Sequence, residues 1–370
     1  MKFTCEKNAL VSAISVASRT VAQKSTIPAL EGIYIRAGVK LTLSGYNLET
    51  GITISVDAEI QQTGACIMPS RLFFDIIRKL PGDTVSISVD EKFKVSIRGG
   101  ISSFSITAMS SEDYPELPEF ESDKGISLPQ NELKAMIGGT SFAVSENQAR
   151  PIHTGCLFEV EDSSITVVAV DGYRLALRRW KSEEPIGRTL KFVVPAAALK
   201  EAEKILGDTD EACTFFLGSK HILFTIGEAT LVCRLLEGEF LDWRRVLPQN
   251  QPVKLAVNVA KMTDSIERVG LIISEKLKSP VRCKFGENTA DFRSVSTIGE
   301  AHDVCQIAGD GQDMEIGFNC RYLLDALRAI PDAECSLELI NGLSPIVMNP
   351  CDGSERYSYM VLPVRLKAGE

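Results

Sequence analysis

The feature that most constrains the fold is a pattern that occurs three times along the 370 residues. Each copy opens with apolar positions at helical spacing, and a proline follows 18 residues after one of them. The three pairs are Leu10 and Pro28, Leu133 and Pro151, and Met262 and Pro280. A glycine follows the first two prolines after four residues, and the third copy lacks it. The sequence therefore predicts three similar domains rather than a solenoid of short repeats.

Two further landmarks recur in the same order. A second helix is predicted in each copy, at 70–80, 196–206 and 319–330, with proline or glycine just beyond its end. The segments 44–48 and 171–175 share a Gly-Tyr pair, 127 residues apart, between alternating apolar runs that indicate a β-hairpin. Because several landmarks keep one register, a chance resemblance between three unrelated stretches is the weaker interpretation.

The fold class follows from the order of the predicted elements. With first helices at 7–21, 130–144 and 258–274, each copy has the order strand, helix, three strands, strand, helix, three strands. Long alternating runs between the helices favour antiparallel sheets. We predict an α+β fold of three repeated domains, each with two helices packed on antiparallel sheets. Polar linkers place the domains at 1–120, 121–248 and 249–370.

Composition places the chain among globular proteins and excludes other classes. Hydrophobic residues make up 44% and charged residues 24%, which is too apolar for a disordered chain. A membrane-spanning helix needs about 18 uninterrupted apolar residues, and no segment of the sequence approaches that length. The N-terminus has no apolar leader segment. We therefore expect a cytoplasmic protein without a membrane partner.

The ten cysteines indicate packing rather than chemistry. They include no Cys-x-x-Cys pair, and the three histidines are far apart, at His153, His221 and His302. Zinc sites need ligands at short spacing, and disulfide frameworks belong to short secreted chains. We expect no metal, and cysteines that pack in the core.

Charge is distributed unevenly along the chain. The net charge is −9, but the six predicted helices together carry +5, which leaves −14 on the remainder. One interpretation is a positive face of helices that attracts a phosphate backbone while the acidic remainder repels it. The other is that solvent-facing helices carry Lys and Arg in any protein. No helix-turn-helix, zinc-finger or RNA-binding signature occurs, so any DNA contact is expected at the backbone, without sequence preference.

Enzyme motifs are absent from the sequence. There is no Walker A loop, Gly-x-Gly-x-x-Gly, His-Glu-x-x-His or Gly-x-Ser-x-Gly. The segment 310–313 lacks the alternating ligands of a calcium loop, and adjacent acids at 161–162 and 183–184 are interpreted as solvated turns. This favours a binding or scaffold protein that needs no cofactor, over an enzyme with an unrecognised site.

Several segments together resemble one known family. They are 1–4, 26–30, 168–176 (Val-Ala-Val-Asp-Gly-Tyr-Arg-Leu-Ala), 239–248 (Glu-Phe-Leu-Asp-Trp-Arg-Arg-Val-Leu-Pro) and 359–366 (Tyr-Met-Val-Leu-Pro-Val-Arg-Leu). On these segments the chain resembles the bacterial DNA sliding clamp, the beta subunit of DNA polymerase III. The resemblance spans the whole chain, and the threefold repeat matches the three domains of that family.

The resemblance implies a non-catalytic processivity factor. Two copies would join head to tail into a ring whose helices line a hole for double-stranded DNA. Implied partners are the catalytic subunit of DNA polymerase III, a clamp loader, and other polymerases and repair proteins that bind through short linear motifs. Carried over by motif, the DNA contacts are Lys24, Arg71, Asn147, Pro151 and Ile152. The dimer contact is Phe104 and Ile106 against Leu271 and Ile272.

The resemblance also implies a partner-peptide pocket between the second and third domains. Its apolar cleft is expected from Leu175, Val246, Leu362 and Val364. Hydrogen-bond donors around its rim are expected from Arg174, Arg245 and Arg365. Such a site suits a short motif with an aromatic or aliphatic anchor. The remaining carried-over positions are Val170, Gly172, Tyr173, Pro345, Met360 and Pro363.

Two residues at the border of this pocket depart from the family. His153 stands where clamps usually carry Leu, and Leu241 stands where Pro is common. As a hypothesis, protonated His153 weakens binding of an apolar anchor below about pH 6.5. The alternative to a ring-forming clamp is a degenerate paralogue that binds partners as a scaffold without encircling DNA.

Overall fold

The computed structural model describes residues 1–118, 120, 124–273 and 279–366. These residues contain six α-helices, one at each predicted position. They are Lys7–Ala17 (α1), Ser70–Lys79 (α2), Gln130–Gly138 (α3), Ala196–Ile205 (α4), Val259–Gly270 (α5) and Cys320–Arg328 (α6). All six are shorter than predicted. In α1 and α3, 3-10 turns at Ser18–Thr20 and Ser141–Ala143 occupy the predicted last turns. The helix α5 ends at Gly270, and its predicted end at 274 lies outside the described residues. The predicted start of the second domain, at 121, lies outside the described residues.

The strands in the first third of the chain surround α1 and α2. They are Lys2–Glu6 (β1), Gly32–Ala37 (β2), Leu41–Tyr46 (β3), Thr50–Val56 (β4), Ala58–Gln62 (β5), Gly64–Pro69 (β6), Thr84–Val89 (β7), Lys94–Gly99 (β8) and Ser102–Thr107 (β9). Those of the middle third are Ile126–Pro129 (β10), Gly155–Glu161 (β11), Ser164–Val170 (β12), Arg174–Lys181 (β13), Leu190–Pro195 (β14), Ala212–Leu217 (β15), His221–Ile226 (β16) and Ala229–Arg234 (β17). Those of the last third are Val253–Asn258 (β18), Val281–Ser296 (β19), Gly299–Phe318 (β20), Glu334–Leu339 (β21), Ile346–Pro350 (β22) and Tyr357–Val361 (β23).

The middle third reproduces the predicted order of elements, and the other two thirds depart from it. The first third has one strand more than predicted, because Asp57 divides β4 from β5. In the last third, β19 and β20 replace the four strands predicted between α5 and α6. Irregular register where Phe285, Glu287 and Thr289 pair with β20 lets the two long strands bend without ending.

Contacts between Cα atoms group the chain into two units. The first comprises Met1–Lys134 and Ala197–Leu235, and the second Ala135–Ala196 and Leu236–Glu370. The first unit contains a five-stranded sheet, β5-β1-β7-β8-β9, and an eight-stranded sheet, β10-β15-β16-β17-β4-β3-β2-β6. The second contains a ten-stranded sheet, β14-β11-β12-β13-β23-β22-β21-β18-β20-β19. All of these strand pairs are antiparallel, as predicted, and each of the two larger sheets joins strands of two predicted domains.

The repeated glycine has a structural reason. Gly32 pairs with Pro69 where β2 meets β6, and Gly155 pairs with Pro195 where β11 meets β14. A Cβ at either glycine would collide with a backbone carbonyl oxygen of the neighbouring strand. The glycine therefore lets two strands approach closely just before α2 and α4 begin.

Capping side chains fix where several helices begin. The Asn258 Oδ1 accepts the Lys261 N–H at 3.0 Å ahead of α5, and the Asn319 Oδ1 accepts the Tyr322 N–H at 3.3 Å ahead of α6. Before α1, the carboxylate of Glu6 accepts two N–H groups of the first turn. At each of these caps a strand gives way to a helix within about one residue. This strand-to-helix junction recurs along the chain.

Most cysteines pack in the interior, as predicted. Eight of the ten are buried, Cys320 is half-buried and Cys351 is exposed. Burial raises the pKa of Cys66 and Cys213 to about 12. In the described part of the chain, no helix is long and apolar enough to cross a membrane.

Candidate partner-peptide pocket

The hairpin between β12 and β13 is held by an aspartate. Asp171 Oδ1 accepts the N–H groups of Tyr173 at 2.9 Å and Arg174 at 3.0 Å. Gly172 has φ of +91°, a conformation that favours glycine. The turn therefore lifts Tyr173 outward, with 62% of its surface exposed. The predicted turn is confirmed, and it presents an aromatic ring to solvent.

Arg174 lies beneath this turn rather than at a rim. Its Nε donates to Asp171 at 2.9 Å, one terminal nitrogen to Asp325 at 2.6 Å and the other to the carbonyl of Phe142 at 2.6 Å. The guanidinium also lies 4.4 Å from the ring centre of Tyr322, and only 8% of the residue is exposed. The expectation that Arg174 is a rim donor is wrong: it ties the hairpin to α6 and to the 3-10 turn Ser141–Ala143.

Apolar residues from distant segments meet beside the hairpin. Five predicted cleft or pocket residues belong to one cluster: Val170, Leu175, Val246, Met360 and Leu362. The cluster also contains Phe240, Trp243, Leu157, Val168, Leu177, Val193, Val347, Leu236, Leu247 and Ile152. Several members are only half-buried, so the cluster is an apolar surface as well as a core.

The C-terminal segment forms one side of this surface. The Leu362 N–H donates to the carbonyl of Tyr173 at 2.9 Å, and the Val364 N–H donates to the carbonyl of Gly317 at 2.8 Å. Leu362 and Pro363 are half-buried, while Val364 and Arg365 are exposed. Pro345 is half-buried just ahead of β22, which pairs with β23. Of these residues only Leu362 is a member of the cluster; Val364, predicted in the apolar cleft, is 38% exposed and is not among the members.

The segment 241–246 is fastened by a buried carboxylate. Glu159 on β11 accepts Trp243 Nε1 at 3.0 Å and Arg244 at 2.7 Å. Burial alone would raise the pKa of Glu159, but the hydrogen bonds from Arg244 and Trp243 bring it below its usual value. With Trp243 held inside, Leu241 and Arg245 are left exposed, and Arg245 Nε pairs with Asp242 at 3.0 Å. Arg245 therefore fits the predicted rim position.

His153 borders the apolar cluster. It lies in the 3-10 turn Pro151–Thr154, and its ring meets that of Phe240 edge to face, with centroids 5.0 Å apart. Its Nδ1 is buried and has no hydrogen-bond partner. Burial, and then the charge of Arg150, lower the pKa of His153, so the neutral form is favoured at neutral pH.

The structure adds three residues that sequence reasoning missed. Tyr322 stacks on Tyr173 with ring centroids 6.1 Å apart, and Phe240 and Trp243 belong to the cluster. Phe240 and Trp243 lie within the 239–248 segment that carries the family resemblance, so that segment could have indicated them. No local signal marks Tyr322, because it reaches the hairpin only through the packing of α6.

Three domain families of known proteins match three consecutive parts of this chain. The profiles for the N-terminal, central and C-terminal domains of the DNA polymerase III beta subunit match residues 1–118, 127–242 and 244–365. The chain belongs to the DNA polymerase III beta subunit family. The match confirms the predicted family and fold class. The chain is therefore a sliding clamp of DNA replication. A sliding clamp is an accessory subunit of the polymerase, which fits a non-catalytic protein.

Individual relatives match this clamp over nearly its full length. The beta sliding clamp of Staphylococcus epidermidis is 32% identical over 381 residues, covering 99% of each chain. The DNA polymerase sliding clamp of Bacillus subtilis superposes with a TM-score of 0.94 at 30% identity, covering 99% of this chain and 100% of that one. The Pseudomonas aeruginosa sliding clamp bound to griselimycin superposes with a TM-score of 0.92 at 28% identity, covering 99% and 100%.

The DNA positions carried over from the family differ in their surroundings in this clamp. In the first unit, Lys24 and Arg71 are exposed, with Arg71 in the first turn of α2. In the second unit, Asn147 and Pro151 are exposed. Ile152 instead packs against the apolar cluster, which leaves it little surface for a phosphate backbone.

Of the four predicted dimer-contact residues, two are exposed and two are partly buried. Phe104 is exposed on β9, an end strand of the five-stranded sheet, whereas Ile106 packs partly against the core of the first unit. Leu271 follows α5 and is 82% exposed, and Ile272 is half-buried. Phe104 and Leu271 are therefore the members of this set with most surface to offer a second copy.

No group of three or more His, Cys, Asp or Glu is placed to hold a metal ion within the described ranges.

Proposed function

We propose that this clamp is a DNA polymerase processivity factor. In this proposal, two copies form a ring around double-stranded DNA, slide without sequence preference and hold the replicative polymerase and other replication or repair proteins at the pocket. We further propose that the ring is built from domains at 1–120, 121–248 and 249–370, and that the protein is non-catalytic and cytoplasmic.

The observation that carries the pocket proposal is the apolar cluster. Val170, Leu175, Val246, Met360 and Leu362 come from three distant segments, yet they pack in one cluster beside the exposed Tyr173. Val246 and Leu362 are half-buried and give this cluster its surface, while the other three are buried beneath it. An apolar centre with exposed Arg245 and Arg365 near it suits a short peptide with an aromatic or aliphatic anchor. The griselimycin-bound Pseudomonas aeruginosa clamp is a relative that binds a ligand.

Peptide affinity tests this proposal directly. About 25 anchoring heavy atoms at about 0.3 kcal/mol each give about −7.5 kcal/mol, which is low-micromolar binding. A labelled Gln-Leu-Ser-Leu-Phe peptide should bind at that strength by fluorescence anisotropy. Leu362→Asp should abolish binding, because it introduces a charge into the apolar surface.

A matched control is Leu72→Asp, an equally large change at an exposed leucine of α2. Its affinity should equal that of the unmodified clamp. Micromolar binding that survives Leu362→Asp would place the peptide elsewhere and contradict the pocket assignment.

Ring closure is supported by two open strand edges. β9 pairs only with β8 among the described strands, and it exposes Phe104. In the second unit, β18 pairs with β20 only at Ala308 and Ile307. The first part of β20, residues 299–306, therefore pairs with β19 alone among the described strands. Among the described strands, β9 in the first unit and the early part of β20 in the second are therefore edges of the kind that can join copies head to tail.

Topology on DNA separates the ring from the degenerate paralogue. The clamp is loaded onto nicked circular plasmid with a clamp loader and ATP, washed at raised salt, and the plasmid is then cut once. A closed ring should remain on the circle and leave after cutting. Loss from the circle before cutting, combined with normal peptide binding, would favour a scaffold that does not encircle DNA.

The DNA contacts are tested by salt dependence. Lys24→Ala and Arg71→Ala together remove two phosphate contacts per copy, or four in a ring of two copies, and should reduce the slope of log affinity against log salt by about 3.6. The control Lys92→Ala removes an exposed cation that the family does not implicate. A slope that is unchanged in the double variant would remove both residues from the DNA contact.

A further inference from the structure

His153 is a polar side chain at an apolar surface. Its ring packs against Phe240, a member of the cluster, while the neighbouring Ile152 packs on the same cluster. Nδ1 is enclosed without a partner. Nε2 makes no hydrogen bond in the described part of the chain, and unlike Nδ1 it is not among the buried atoms. It is therefore the nitrogen that an incoming group can reach.

The tautomer follows from this arrangement. A neutral imidazole carries one N–H, and burying that donor unpaired at Nδ1 would cost more than burying a lone pair there. The proton therefore resides on Nε2, where solvent or a ligand can accept it. The ring thus offers one hydrogen-bond donor at the margin of a surface otherwise built from aliphatic and aromatic side chains.

We propose that His153 is a specificity-determining residue that makes this pocket favour a peptide whose anchor is tyrosine. The tyrosine ring would lie on the apolar surface and its hydroxyl oxygen would accept the hydrogen bond from His153 Nε2. The inference rests on the proposed function, because it concerns the occupant of the same pocket.

The chemistry distinguishes tyrosine from the other apolar anchors. Tyrosine combines a large apolar body with one polar tip, which matches a broad apolar surface with a single donor at its edge. A phenylalanine that covered Nε2 would leave this donor unpaired, and a leucine would also lose the ring contacts. Sites built to pair a hydroxyl discriminate against the analogue that lacks it, because their own polar group is then left unsatisfied.

Two peptides that differ by one oxygen atom test the inference. The affinities of Gln-Leu-Ser-Leu-Phe and Gln-Leu-Ser-Leu-Tyr are measured by isothermal titration on the full chain at pH 7.5. The tyrosine peptide should bind about 3- to 10-fold more tightly, which is the effect of one net hydrogen bond. His153→Leu should reverse the preference, because the hydroxyl then meets an aliphatic side chain.

His153→Gln is the informative companion variant. Its side-chain amide reaches about as far as Nε2 and retains a donor, so it should restore part of the tyrosine preference that His153→Leu loses. Thermal denaturation confirms that both variants are folded. This rescue separates hydrogen bonding from a general change in pocket shape.

Each other outcome overturns the inference in a recognisable way. Equal affinity for the two peptides, or a preference for phenylalanine, in the unmodified clamp would show that His153 does not select the anchor. A tyrosine preference that persists in His153→Leu would assign the selection to another residue. If neither peptide binds the unmodified clamp, the pocket assignment of the proposed function fails, and the inference fails with it.

Discussion

The first and second copies of the repeat contain the same hairpin turn with different side chains. In the first, Asn47 Oδ1 accepts the Glu49 and Thr50 N–H groups at 3.0 and 2.7 Å. In the second, Asp171 accepts the two corresponding N–H groups. In both, the second residue has positive φ: 74° at Leu48 and 91° at Gly172. One backbone geometry therefore serves two turns that share no residue at these positions.

The difference lies in what the fourth turn residue reaches. Thr50 is buried within its own sheet, whereas Arg174 extends to Asp325 on α6 and supports the exposed Tyr173. The 3-10 turns that precede these hairpins differ similarly: Leu30 is buried in the first copy, and His153 is half-buried beside the pocket in the second. The comparison shows that the two copies use one scaffold with different side chains, and that a few differences distinguish the copy that carries the proposed pocket.

The largest effect is expected from Arg174→Ala. The change removes the guanidinium that pairs with the Asp325 and Asp171 carboxylates and with a backbone carbonyl, at a cost of about 3 kcal/mol in the free energy of unfolding. The equivalent Thr50→Ala should cost about 1 kcal/mol. Urea unfolding of the two variants measures both values. Similar losses would mean that Arg174 has no greater structural role than its counterpart.

An exchange at the second turn residue sharpens the comparison. Leu48→Gly should raise the free energy of unfolding and Gly172→Leu should lower it, each by about 1 kcal/mol, because left-handed backbone is strained for leucine. Changes of the same sign in both variants would contradict the claim that the two turns share a geometry.

The pH dependence of the second copy should depend on His153, since Leu30 cannot titrate. The pKa of His153 is below its ordinary 6.5, so the unfolded chain takes up this proton first and stability falls as the pH drops through about 6.5. Affinity for the phenylalanine peptide should fall at lower pH, as the pH drops through the lowered pKa of His153 in the folded clamp, because an apolar anchor disfavours the charged ring further.

The control for this prediction is His153→Leu, which should bind the peptide with a flat profile from pH 8 down to about 5.5. Glu159 titrates separately: its pKa is lowered, so its contribution to stability is lost only below its ordinary 4.5. A fall in affinity near pH 6 that persists in His153→Leu would assign the titration to another group.

The smallest effect on stability is expected from Tyr173→Glu, which installs the third turn residue of the first copy. The ring is largely exposed, so the free energy of unfolding should change by less than about 0.5 kcal/mol. Peptide affinity should nevertheless fall about tenfold if Tyr173 contacts the ligand. Unchanged affinity would exclude Tyr173 from the pocket.

Sequence periodicity located the helices well and the hairpin register less well. All six predicted helices are present, because amphipathic spacing and stop signals are local properties. The shared Gly-Tyr pair, however, aligned Gly45 with Gly172, whereas the hydrogen bonds make Leu48 the counterpart of Gly172. The shared Gly-Tyr pair gave the wrong alignment because turn geometry depends on a positive φ and on a side-chain oxygen that accepts backbone N–H groups. Different residues can meet both requirements.

The site was predictable where it is apolar and less so where it is polar. The cleft residues Leu175, Val246 and Leu362 do share one cluster, while their role in peptide binding stays a prediction. The family resemblance, together with the hydrogen-bond donors of arginine, predicts Arg174 at the rim. Its burial depends on Asp325, which lies 151 residues away in the sequence.

The sequence by itself determined the threefold plan, the helices, the antiparallel strands and the family, because these follow from periodicity and from motifs within short stretches. Tertiary structure alone decided which side chains are exposed at the proposed pocket and which are buried beneath it. Arg174 and Trp243 are polar or amphipathic residues whose burial is possible only where partners such as Asp325 and Glu159 satisfy their donors. Those partners come from distant segments, and only the packed sheets bring them within hydrogen-bonding distance.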